Sequence, residues 1–284
     1  MIARARHYLP LLGFVLPTLV IGYGFVIPKS CIHGINALSV GFGTTILGAT
    51  LAYAAGVSSA SRTSCPVRVP WRRRLEQYIN RQAANPRGPA GWMLAWLWML
   101  EHQKVNRATL DLLQIEPPHR VLELGFGSGW ALREASARAT AGHVLGLDVS
   151  AASLSVARRT NRREIGAGRV SLRRIDGADL GLHPETFDRI LSVHCLYFWE
   201  DPGRVIAQLS EALRAAGQLV LAFRPDAANV PARFRDDIYR FYSPVDVEKM
   251  LVSAGLADVH VIRRPDVSED LVWVCARKTG THDV

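Results

Sequence analysis

Cysteine is scarce in this chain. Only four occur in 284 residues, at 31, 65, 195 and 275, and no C-x-x-C pair is among them. That excludes a disulfide framework, a zinc ribbon and a dithiol redox site. The one glycine-rich loop lacks the Gly-Lys-Ser/Thr of a P-loop and the G-x-G-x-x-G of a dinucleotide site, so no pyrophosphate site is indicated. No metal site is expected either. Acidic residues are rare at the start: residues 1–120 hold 4 Asp/Glu against 13 Lys/Arg, whereas residues 121–284 hold 21 of each. The net charge of +9 therefore sits in the first 120 residues. A balanced C-terminal part argues against a nucleic-acid partner, because tracking phosphates needs a basic surface on the binding domain. With 49% hydrophobic and 21% charged residues, disorder is excluded as well.

What the N-terminal part does have is length without charge. Residues Tyr8 to Ile27 and Ile35 to Val57 are two uncharged, mostly apolar runs of 20 and 23 residues. A hydrocarbon core of about 30 Å needs about 20 helical residues, so each run is long enough to span it. The short connection from Pro28 to Gly34 makes a two-helix transmembrane hairpin the expectation for residues 1–60. Arg4 and Arg6 precede the first run, and Arg62, Arg68 and Arg72 to Arg74 follow the second. The positive-inside rule then puts both ends and the rest of the chain on the cytoplasmic side of the cell membrane. A cleaved signal peptide fits less well, because the apolar region is long and no A-x-A-like site follows it. Buried core helices are the other alternative, and Pro10 and Pro17 are tolerated in spans.

Residues 61–118 read as a basic linker and helical cap. Trp71-Arg72-Arg73-Arg74 starts a polar helix to about Arg81 and suits an anionic headgroup layer. Trp92, Trp96 and Trp98 lie in an apolar run that reads as a packing helix or as the roof of an apolar pocket.

From residue 119 to 280 strands and helices alternate. Strands are expected at 120–124, 143–147, 169–174, 187–193, 218–223, 259–262 and 271–276. Helices are expected at 130–138, 151–160, 204–214 and 244–254. This is an α/β pattern with a parallel, doubly wound sheet. The last two strands are joined too closely for a crossover, so the final strand is expected to run antiparallel.

The chemistry-bearing motif is Glu123-Leu124-Gly125-Phe126-Gly127-Ser128-Gly129, between the first strand and its helix. Glycines there let backbone approach a ligand closely. Asp148 ends the second strand, where a carboxylate can accept from both ribose hydroxyls. It could instead cap the next helix, but Ser150 is the better cap and leaves Asp148 to the ligand. Asp176-Gly177-Ala178 follows the third strand, where an acid and a free amide can read an adenine edge; alone it would be a plain turn.

Together with Leu147-Asp148-Val149-Ser150, Phe187-Asp188-Arg189-Ile190 and Ser192-Val193-His194-Cys195-Leu196-Tyr197-Phe198-Trp199, these motifs resemble class I S-adenosylmethionine-dependent methyltransferases. The similarity is greatest to the ubiquinone/menaquinone C-methyltransferase-like group and covers residues 82–277, including Asn85-Pro86-Arg87-Gly88 and the helix through Asn106. The resemblance implies a Rossmann-like seven-stranded sheet with an antiparallel last strand, and S-adenosylmethionine (SAM) as cofactor. It implies that Glu123 and the loop of Gly125, Phe126, Gly127 and Gly129 hold the methionine part, Asp148 with Val149 the ribose, and Asp176, Gly177 and Ala178 the adenine, with Ser192 close by. The hairpin departs from the usual soluble pattern and favours a lipophilic, membrane-resident acceptor of quinone, isoprenoid or phospholipid type. A soluble metabolite, or SAM binding without turnover, are the alternatives.

Methyl transfer from a sulfonium is an in-line displacement that asks the protein for alignment and a dry site. A base is needed only when the acceptor must lose a proton. His194 is the candidate base, or else a packing histidine, and Tyr197 a second hydrogen-bonding group. No Asp/Asn-Pro-Pro-Tyr/Phe follows the fourth strand, which argues against amino methylation of DNA bases. The lack of a Pro-Cys pair leaves a cytosine nucleophile unsupported. Tyr239, Phe241 and Tyr242 are expected either to line an acceptor pocket with the tryptophans or to pack between helix and sheet.

Overall fold

Short apolar runs separated by amphipathic helices bury both of their faces, so in this chain the strands meet in one central layer. The computed structural model describes residues 70–89, 91–94, 102–175, 179–225 and 238–279. β1 (Arg120–Leu124), β2 (His143–Asp148), β3 (Val170–Arg174), β4 (Phe187–Val193) and β5 (Leu213–Phe223) pair in parallel. β6 (Leu256–Arg263) and β7 (Val272–Lys278) complete a seven-stranded sheet of order 3-2-1-4-5-7-6. β7 is antiparallel to both of its neighbours, because the loop from β6 is too short to cross over.

The helices are α1 (Pro70–Ala84), α2 (Gln103–Leu112), α3 (Trp130–Arg138), α4 (Ala151–Thr160), α5 (Arg162–Gly166), α6 (Pro202–Ala212) and α7 (Pro244–Ser253). They leave the sheet two cores. One gathers Leu122, Leu147, Ile190, Leu209 and Phe223, and the other Leu110, Val121, Leu132, Leu191 and Trp273. Trp273 is fully buried, and its indole N–H donates to Thr109 Oγ1 at 2.8 Å, tying β7 to α2. Left without that acceptor, the buried N–H would cost about 1–3 kcal/mol.

Three differences from the sequence expectation stand out. α6 ends at Ala212 and β5 begins at Leu213, not at Gln218. Leu213 pairs with Phe187, and regular pairing resumes at Gln218 with Arg189, so the intervening residues form a bulge with Ala216 at φ 61°. β6 begins at Leu256, three residues early, again across a bulge with Asp258 at φ 50°. α5 was not expected from the sequence.

The expected hairpin of residues 1–60 lies outside the described residues. Among the described residues no helix is long and apolar enough to cross a membrane.

Candidate active site

The chain lays β2 and β3 on one side of β1 and then returns to place β4 on the other. Loops leaving β1 and β4 therefore diverge, and a crevice opens at their carboxyl ends. A cavity of about 470 Å³ lies there, walled by the glycine loop, the tip of β2, the segment after β4, the end of α1 and the start of α2.

Backbone geometry explains why glycine occupies this loop. Gly125 has φ 81°, and a Cβ on it would collide with Cys195 Sγ. Gly129 has φ 73° and N-caps α3; a Cβ there would come within 2.6 Å of Asn161 Nδ2 and 2.8 Å of Ala157 Cβ. Asn161 fixes that approach by donating to Gly129 O at 2.8 Å and Ala157 O at 3.0 Å. Gly127 differs: nothing lies within 4 Å of where its Cβ would be, so the loop leaves open space beside its middle residue.

Two carboxylates face this cradle. Glu123 is buried, and its Oε2 has no hydrogen-bond partner among the described residues. Burial, and then the neighbouring Asp148, push its carboxyl well above the usual range. Asp148 accepts from Gly127 N through Oδ2 at 2.9 Å and from Ser150 N through Oδ1 at 2.8 Å. Burial outweighs those bonds and raises its carboxyl to about 6. Ser150 caps α4 by accepting from Ser153 N at 3.1 Å, as the sequence suggested. Its hydroxyl donates to Pro86 O at 2.6 Å, which pins the end of α1 over the site.

On the β4 side, His194 lines the cavity at φ 59°. Its Nδ1 lies 2.6 Å from Tyr197 Oη. With the phenol as donor in this pair, the ring proton sits on Nε2. The His102 ring packs on His194 with centroids 4.5 Å apart. Burial lowers His102 to about 4, and burial followed by His102 and Arg224 hold His194 well below its ordinary value. Both imidazoles are therefore neutral near pH 7. The lone pair that a base would offer at Nδ1 is already engaged by the phenol. Cys195 is no nucleophile, since burial, chiefly, pushes its thiol up to about 12.

Several sequence-based expectations do not meet at the cavity. Ser192 is buried and its hydroxyl donates to Leu124 O at 2.8 Å, so it ties β4 to β1 behind the wall. Phe126 does line the cavity, while its ring also packs into the core against Gly146. Tyr239, Phe241 and Tyr242 do not line the cavity. Tyr239 and Phe241 stack on each other and prop Tyr197 from behind, with ring centroids 5.6 and 5.8 Å away. Trp92 is 39% exposed under the Arg159 guanidinium. Asp176, Gly177, Ala178, Trp96 and Trp98 lie outside the described residues. Val149 lines the cavity, and so does His102, which the sequence reading missed. The only signal for His102 was its place just ahead of α2.

An unpaired buried carboxylate beside open glycine backbone suits an ammonium group, and an acid at the tip of β2 suits vicinal hydroxyls. Residues 122–221 match the family described as Methyltransferase domain. That stretch is a methyltransferase domain, and S-adenosylmethionine is the cofactor its crevice fits.

The methyltransferase is 29% identical to an uncharacterized methyltransferase, YdaC, of Bacillus subtilis over 142 residues, which is 49% of this chain and 73% of that protein. It is 33% identical to phosphatidylethanolamine N-methyltransferase of Cereibacter sphaeroides over 103 residues, 36% of this chain and 49% of that one. Its fold is similar to a chain in the Haloferax volcanii complex of the Trm112 methyltransferase activator with a methyltransferase. That match has a TM-score of 0.58 and 20% identity, over 69% of this chain and 97% of that one. SAM supplies an electrophilic methyl group when bound; Glu123, the glycine loop and Asp148 are the residues of this methyltransferase that fit it.

Proposed function

We propose that the methyltransferase acts on a lipophilic, membrane-resident small molecule, and that among quinone, isoprenoid and phospholipid types an amine-bearing phospholipid headgroup fits best. The observation that carries the reading is the wall contributed after β4. Val193, Phe198 and Trp199, with Val205 of α6, offer the cavity hydrocarbon and aromatic surface. The neutral His194 offers an N–H donor rather than a free base. A ring hydroxyl or ring carbon must lose a proton during transfer. An amine attacks through its own lone pair once its ammonium has given a proton to water, and that loss precedes alignment, so during transfer it needs only to be held, kept dry and aligned. The two uncharged runs near the N-terminus, and the Cereibacter relative's phosphatidylethanolamine, favour the same acceptor class.

The test is a full-length preparation supplied with methyl-labelled SAM and a total cell extract, followed by organic and aqueous partition. Label in a single organic-phase lipid, heavier by one methyl group, is the expected result. Label confined to water-soluble metabolites overturns the reading.

A further inference from the structure

The charge balance of residues 121–284 hides a polarised surface. Residues 151–175 carry seven arginines and one glutamate, while the remainder of 121–284 carries fourteen basic residues against twenty acidic ones. Arg158, Arg159, Arg162 and Arg163 lie exposed on α4 and α5. Arg169 lies exposed just before β3, and Arg173 and Arg174 lie exposed on it; β3 forms one edge of the sheet. None of the ion pairs formed among the described residues involves any of the seven. Arg173 and Arg174 donate to the carbonyls of Gly181, Leu180 and Val149, which fixes them but leaves their charge uncompensated. One exposed indole lies beside the patch. Arg159 sits 5.8 Å over the ring of the exposed Trp92.

We propose that the α4–α5 face, with its β3 edge and Trp92, docks on the surface of an anionic lipid bilayer. Unpaired arginines attract anionic headgroups within a Debye length, and an indole beside them suits the headgroup layer. α4 begins at the cavity, where Ser153 is part of the wall, so docking through this face keeps the opening near the lipids. The proposal deepens the lipophilic-acceptor reading and rests on it for its purpose. The charge and exposure that carry it are independent of that reading.

Arginine footprinting tests it on the full chain. The protein is bound to vesicles of phosphatidylcholine alone or of phosphatidylcholine with phosphatidylglycerol, treated with hydroxyphenylglyoxal, and mapped by mass spectrometry. On the anionic vesicles Arg158, Arg159, Arg162 and Arg163 should react several-fold more slowly than the exposed Arg204 and Arg263, with recovery at high salt. On neutral vesicles the ratio should stay at its value in solution. Equal ratios on both vesicle types overturn the proposal, even when the N-terminal segment itself holds the protein on both. Protection by RNA without protection by anionic vesicles overturns it in favour of nucleic acid. Vesicles without an acceptor suffice, so failure of docking and failure of the acceptor assignment are read separately.

Discussion

At the scale of single residues, the site is defined by groups with too few partners. Glu123 is held in the core with one oxygen unsatisfied, an arrangement that burdens the ligand-free protein and is relieved by a bound cation. Glu123→Gln keeps the shape and removes the charge. It should raise the SAM dissociation constant by about 10–100-fold, as expected for a charge-assisted hydrogen bond. It should also raise the melting temperature of the ligand-free protein at pH values high enough to ionise the native carboxyl, because the buried carboxylate is costly. Titration calorimetry and thermal unfolding check the two together; unchanged affinity removes Glu123 from the ammonium site. The His102–His194–Tyr197 group makes a second prediction. With His102 near 4 and His194 well below its ordinary value, neither imidazole changes charge between about pH 6 and 8. The profile of kcat/KM should show no histidine limb in that range. A limb near pH 6.5 that disappears in His194→Ala would restore His194 as a base.

At the scale of elements, the glycine loop depends on a helix that does not carry it. Asn161, at the end of α4, holds the Gly129 carbonyl at the start of α3, and the two helices close on a point where only hydrogen fits. Gly129→Ala adds both the close contact and a left-handed φ for a residue with a Cβ. It should destabilise the fold by roughly 2 kcal/mol or more in urea unfolding, by overpacking and strain together. Asn161→Ala instead leaves the Gly129 carbonyl with only the long 3.4 Å bond from Arg133 N. It should cost about 1–3 kcal/mol and weaken SAM binding through the loop, not through a lost contact.

The same scale shows what the sequence made legible. Val121 to Gly129, Asp148 and Ser150 announced strand, loop, acid and cap because each residue type has one local use there. The start of β5 was hidden, since Arg214-Ala215-Ala216 has helical composition and only pairing with β4 makes it strand. The aromatic residues at 239–242 were ambiguous for another reason. Composition marks them as buried, but only tertiary packing decides that they support Tyr197 from behind and do not face the cavity. His102 was invisible because its role comes from its contact with His194, ninety-two positions along the chain.

At the scale of the whole molecule, folding and ligand binding compete for the same two acids. Both Glu123 and Asp148 have raised pKa values in the ligand-free fold. Such a group stabilises the fold fully below its unfolded pKa, and that contribution is lost as pH rises through the folded value. For Asp148 the window runs from about pH 4 to about 6. A ligand that presents an ammonium and hydroxyl donors needs both groups as carboxylates, so its affinity has the opposite dependence. Above about pH 6 Asp148 is already ionised and costs nothing further. Below that value each binding event must expel a proton, and affinity should fall by about tenfold per pH unit for each protonated acid. S-adenosylhomocysteine at about 100 times its dissociation constant adds roughly 2.7 kcal/mol to stability. For a domain of this size, that corresponds to a rise of about 5–10 °C in melting temperature. Held at that fixed concentration, the shift should shrink progressively as pH falls below about 6, where Asp148 takes up its proton. In Glu123→Gln it should be smaller at every pH, while the Asp148 step persists. A shift that stays constant down to pH 5 would mean that the ligand does not engage these carboxylates, and that the crevice between β1 and β4 orients it in some other way.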